Sequence, residues 1–131
     1  MQLKPALLFL GVLAVAAAQA PSKAIVVNLE TANWTESSVM LHTDASTGAM
    51  DLLVRFPAGH VIAPHSHDSN ERIVVVEGQL TLRQESVEQH IDAGGFAYLP
   101  AHEVQRLSCT SKTRCTFYLS WDGKPDSHPA K

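Results

Sequence analysis

The sequence predicts an all-β domain of barrel or jelly-roll type, and three observations carry that prediction. Runs rich in Val, Ile, Leu and aromatic residues recur along the chain at the short intervals typical of all-β domains. Turn formers stand between them, at Pro57-Ala58-Gly59, Glu77-Gly78, Asp92-Ala93-Gly94-Gly95 and Leu99-Pro100. Beyond Pro21 no stretch reads as a helix. The chain has 131 residues, 45% of them hydrophobic, which fits one ordered domain rather than two. A net charge of −3, with Lys and Arg scattered, leaves no electrostatic footprint for nucleic acid and no polybasic stretch for a membrane surface.

The elements follow in chain order. Lys4, the apolar run Ala6–Val15 and the small residues Ala16–Ala20 read as a secretory signal peptide. The small-residue cleavage rule is met at Ala16/Ala18 and at Ala18/Ala20, but the second would leave Pro21 just after the cut, so residues 1–18 are assigned to the signal. Its apolar core is shorter than the ~20 residues a spanning helix needs. The expected location is therefore outside the cytoplasm, periplasmic or extracellular, with no membrane partner after cleavage. The folded domain is expected over residues 24–121, with strands at Ala24–Asn28, Val39–His42, Ala49–Phe56, Arg72–Glu77, Gln79–Gln84, Glu88–Ile91, Phe96–Leu99, Val104–Cys109 and Cys115–Trp121. Residues 122–131 are polar and proline-rich and are expected to form a flexible tail.

The chemistry concentrates between Gly59 and Gly78. In an extended strand residues two apart share a side, so His65 and His67 project together. The turn-like Asp68-Ser69-Asn70 would then bring Glu71 back toward both imidazoles. Two neutral imidazoles and one carboxylate on one face suit a divalent transition metal and leave positions open for water or substrate. The full spacing is more specific than a bare His-x-His. Gly59, five residues, His65-x-His67, three residues, Glu71, six residues and Gly78 resemble the first motif of the cupin superfamily at every defined position. The resemblance covers nearly all of the chain after the signal. It implies a small single-domain cupin of the type-2 conserved-barrel kind (a double-stranded β-helix, or jelly roll). It also implies one bound Mn, Fe, Ni, Co or Zn ion held by His65, His67 and Glu71.

The second motif of that superfamily is half present. Gly94 and Pro100 fit it, but His102 stands in place of the turn glycine, Gln105 in place of the fourth ligand and Cys109 in place of the asparagine. His tolerates the left-handed backbone better than most residues. Two readings of the fourth position stay open: Gln105 through its amide oxygen, which keeps the strand register, or His102 reaching in from the loop.

Cys109 lies four residues past Gln105, about 13 Å along a strand. Its expected partner is Cys115, across the turn 110–114, in a compartment where disulfides persist. If the two are cross-strand neighbours, Leu107 pairs with Phe117 and Gln105 with Leu119. Leu107, Phe117, Leu119 and Trp121 would then form an apolar wall around the metal. His42, His90 and His128 are expected at the surface, His60 near the rim, and Arg55, Arg83 and Tyr98 outside the site. No Gly-x-Ser-x-Gly elbow, Cys-x-x-Cys pair or phosphate-cradling glycine loop is present, which argues against the common hydrolase, redox and nucleotide readings.

With Glu71, Ile73 and Val75 facing inward, Val74 and Val76 face outward and call for a cover, so a homodimer is expected. Fold does not fix activity. The leading expectation is a metal-dependent enzyme performing an oxygenase-type reaction on a small organic molecule. The alternative is a non-catalytic module of the cell envelope that binds a metal or small ligand.

Overall fold

The computed structural model describes residues 23–131, so the signal segment expected at residues 1–18 lies outside them. The described residues form two antiparallel sheets facing one another. The first contains β1 (Ser38–Thr43), β2 (Met50–Phe56), β4 (Glu71–Glu77), β7 (Phe96–Leu99) and β9 (Cys115–Trp121) in the order β1-β2-β9-β4-β7. The second contains β3 (Val61–Ser66), β5 (Gln79–Gln84), β6 (Val87–Asp92), β8 (Gln105–Cys109) and β10 (His128–Pro129) in the order β10-β3-β8-β5-β6. This is the expected all-β jelly roll.

Alternation sets the inner faces. In β4, Glu71, Ile73 and Val75 are buried, Val74 is half-buried and Val76 is exposed. In β9, Cys115, Phe117 and Leu119 turn inward from the centre of the first sheet. Leu80, Leu82 and Leu107 answer them from the second. The core fills one end of the sandwich, below the buried polar residues His65, His67, Glu71 and Gln105.

Four expectations change. Ala24–Asn28 is extended but unpaired, with Ile25 and Val26 largely exposed, because β propensity makes a strand only where a partner edge is free. A further strand, β3, not among those expected, extends the run around His65; Pro64 sits where the pairing of β3 with β8 loses register, between Ile62 and His65. The segment after Asp122, expected to be a loose tail, instead returns over the barrel, where His128 pairs with Ser66 and Pro129 with His65. Edge strand β3 offered it an unpaired ladder.

The fourth change concerns the cysteines. The expected disulfide is present, with a Cα–Cα distance of 5.8 Å, but its strands are not cross-strand neighbours. Cys109 ends β8 in the second sheet, and Cys115 opens β9 in the first. Leu107 pairs with Ile62 and Leu82, whereas Phe117 pairs with Val54 and Val75. Gln105 pairs with His65, and Leu119 with Leu52 and Ile73. Both edges of β8 and of β9 are already taken, so the chain crosses between sheets and the bridge ties them together.

Candidate metal centre

Three short-range features place the site. His65 is near the end of β3, His67 just beyond it, and Glu71 opens β4 after the bend at Asp68-Ser69. All three are buried: 7%, 8% and 4% exposed respectively. His65 Nε2 lies 3.1 Å from His67 Nε2, and His67 Nε2 lies 2.8 Å from Glu71 Oε2.

Hydrogen bonds on the far side of each ring decide what those atoms are. His65 Nδ1 lies 2.7 Å from the Ala63 carbonyl, and His67 Nδ1 contacts the Asp126 carbonyl. A carbonyl can only accept, so both Nδ1 atoms carry the proton and both Nε2 atoms present lone pairs. His67 Nε2 therefore stands in contact with two other electron-rich atoms, His65 Nε2 on one side and a Glu71 oxygen on the other, an arrangement that repels unless a cation intervenes. A proton can satisfy one such pair. Accordingly, the hydrogen bond to Glu71 raises the proton affinity of His67 above the ordinary imidazole range, while burial opposes it. A metal ion that drew His65 and Glu71 in beside His67 would satisfy all three. Ligand bonds of 2.0–2.1 Å at tetrahedral to octahedral angles put ligand atoms about 2.8–3.4 Å apart, and both observed separations fall in that range. Backbone carbonyls behind ligating imidazoles are the usual orienting partners at metal centres. Two imidazole nitrogens and a carboxylate are a donor set of the kind that holds a divalent transition metal.

Around this group Trp121 Nε1 donates to Glu71 Oε2 at 3.2 Å, and Gln105 Nε2 lies 3.4 Å from the same oxygen. Strand register delivers both, since Trp121 is opposite Glu71 and Gln105 opposite His65. Gln105 is buried and lines the cavity. His102 does not: its side chain is 74% exposed, with Nδ1 3.7 Å from Asp68 Oδ1. It holds the expected left-handed backbone, at φ +69°, and its N–H donates to the His67 carbonyl at 2.7 Å. Of the two candidates for the fourth position, the structure brings only Gln105 to the cavity. Leu107, Phe117, Leu119 and Trp121 all line it, from both sheets.

Sequence reasoning missed Asp126. Its carbonyl holds His67, and its carboxylate accepts the Asp68 N–H at 3.0 Å, a bond that lowers its pKa. His128 Nε2 lies 3.1 Å from Asp68 and 3.3 Å from Asp126, and Asp68 raises its proton affinity. Asn70 clasps the same segment by donating to Asp122 at 2.9 Å while accepting the Ala101 N–H at 3.0 Å. Nothing in the spacing of these residues announces the arrangement, because Asp126 is 59 positions from His67.

Comparison with known proteins adds the following. The profile of the ChrR cupin-like domain matches residues 22–122. No curated protein sequence matches. Among solved structures, the chain resembles a conserved protein with a double-stranded β-helix domain from Klebsiella pneumoniae (15% identity, TM-score 0.67, covering 83% of this chain and 99% of that one). It also resembles KdgF from Halomonas sp. (18%, TM-score 0.64, covering 76% and 94%) and the polyketide cyclase RemF from Streptomyces resistomycificus (16%, TM-score 0.61, covering 72% and 70%). At these identities the likeness concerns the fold.

Proposed function

We propose, from the premise that this chain belongs to the ChrR cupin-like family, that it is an exported single-domain cupin. In this reading it holds one divalent transition metal and acts as a metal-dependent enzyme of the oxygenase type on a small organic substrate. The observation that carries the metal is the placing of His67 Nε2 3.1 Å from His65 Nε2 and 2.8 Å from a Glu71 oxygen, with the Nδ1 side of both rings turned to backbone carbonyls. His65, His67 and Glu71 hold the ion, which is Mn, Fe, Ni, Co or Zn; the mixed nitrogen and oxygen set suits all five. Gln105 stands at the fourth position, within reach by rotation of its amide. The bound ion supplies Lewis acidity and, where redox-active, one-electron chemistry toward O2. The chain's own part is to orient the ligands through the Ala63 and Asp126 carbonyls, to fix Glu71 through Trp121, and to exclude water with Leu107, Phe117 and Leu119. A homodimer covering the exposed Val76 belongs to the same reading.

One observation favours the non-catalytic alternative. Beyond the ligands, the carboxylate lining the cavity is that of Asp126, already engaged by the Asp68 N–H and therefore a weak base. The test is metal analysis of wild type, His65→Ala and Glu71→Ala, followed by O2 uptake and product analysis with each metal over diols, phenolics and sugars. Equal metal content in all three proteins refutes the ligand assignment. Turnover abolished by His67→Ala supports the enzyme, and a ligand recovered unchanged with every metal supports the binding module.

A further inference from the structure

The cavity above the metal ligands has a volume of about 450 Å³. Its walls are Leu52, Val54 and Phe117 from the first sheet and Ile62 and Leu107 from the second. Among the described residues no Lys or Arg lines it, and its charged groups besides the histidines are the carboxylates of Glu71 and Asp126. Most donors at its deep end are engaged: Trp121 Nε1 and one N–H of Gln105 Nε2 point to Glu71, and both imidazole Nδ1–H groups point to carbonyls. Ser37, Ser38 and Ser127 also line it.

From this distribution we infer that the cavity takes an uncharged, ring-sized organic molecule with an apolar body and a single oxygen donor directed at the metal. A monocyclic phenol is the simplest case. The inference rests on the metal reading above and narrows its substrate class. An anionic substrate finds no cationic side chain and meets two carboxylates, so only the ion itself would hold it. A sugar would set several hydroxyls against leucine, valine and phenylalanine, each unpaired group weakening binding roughly tenfold or more. A phenol meets a wall of its own kind, with the Phe117 and Trp121 rings in the lining and one oxygen left for the metal. Volume agrees: at ~30 Å³ per water-sized group, the space holds on the order of fifteen such groups, enough for one substituted ring.

Zinc is the test ion, because it is redox-inert and separates binding from turnover. Zinc uptake is measured by equilibrium dialysis. Calorimetric titrations with 4-methylphenol, toluene and galacturonate are then run on zinc-loaded and metal-free protein. The zinc-loaded protein is expected to bind 4-methylphenol at least tenfold more tightly than galacturonate. Removing zinc should cost the phenol tenfold or more while leaving toluene unchanged. Leu52→Gln, on the half-buried part of the wall, should weaken phenol and toluene together with zinc uptake intact. Zinc-loaded protein that prefers galacturonate, or binds none of the three, overturns the substrate class and leaves the metal reading standing. Protein that takes up no zinc overturns the metal reading, and its titration with toluene still decides the apolar body.

Discussion

Gly78 closes the histidine motif, and the structure gives a physical reason that Gly59, which opens it, does not share. Both have left-handed backbones, at φ +81° and +82°. Forcing alanine into that conformation costs about 1–2 kcal/mol, offset in part by a stiffer unfolded chain. At Gly59 that is the whole account, because an added Cβ meets nothing within 4 Å. At Gly78 the same atom would sit 2.6 Å from the Arg114 carbonyl oxygen, 2.8 Å from Ser111 Oγ and 3.0 Å from Cys115 Sγ. The nearest contact is backbone in the turn that the disulfide ties down, so it cannot swing away as a side-chain tip could. Overpacking of this kind adds roughly 1–3 kcal/mol. Gly59→Ala should therefore lose about 1 kcal/mol and Gly78→Ala about 2–5 kcal/mol in urea unfolding of the oxidised protein. In a Cys109→Ala/Cys115→Ala background, the Gly78→Ala penalty should shrink, since one clashing atom is gone and the turn is released. Equal losses at the two glycines, or an unchanged penalty without the bridge, would refute the steric reasoning.

Replacing both cysteines by alanine opens a cross-link of sequence separation 6, so it should cost about 2 kcal/mol and lower the melting temperature by roughly 10 °C in a thermal scan. Deleting residues 123–131 removes the Asp126 carbonyl from His67 and should weaken zinc binding by roughly ten- to a hundredfold, read by chelator competition, with the β-sheet circular dichroism retained. Gln105→Ala should weaken zinc binding and His102→Ala should leave it unchanged; the reverse result would move the fourth position to the loop. Because Glu71 raises the proton affinity of His67 in the folded, metal-free protein, that proton stabilises the fold fully below the ordinary imidazole pKa of 6.5, and its contribution is lost as pH rises through the higher folded value. Metal must displace the same proton, so apparent zinc affinity should climb as pH rises past 6.5 toward the higher folded value, and a flat profile would contradict the shift.

What the sequence by itself determined about this protein was local. His65 and His67 share a side because a strand has a period of two, and Glu71 joins them because the intervening residues can only turn. Those seven positions are linked by covalent geometry, so the contacts of His67 with His65 and with Glu71 could be read before any tertiary contact was known. The disulfide was legible because the chain holds just two cysteines. The alternation of β4 likewise assigned Ile73 and Val75 to the core.

The tertiary structure decided everything that depends on which strand edge meets which. It moved β8 and β9 to opposite sheets and turned an expected hairpin bridge into a tie between layers. It set Gln105 opposite His65 while leaving His102 outside, and it put the Trp121 indole on Glu71. It also drew the segment around Asp126 across 59 residues to hold His67, because β3 had a free edge for His128 and Pro129 to pair with. A spacing pattern records neighbours along the chain; hydrogen-bond partners this far apart are chosen by the competition among edges, and that competition is settled only when the sheets assemble.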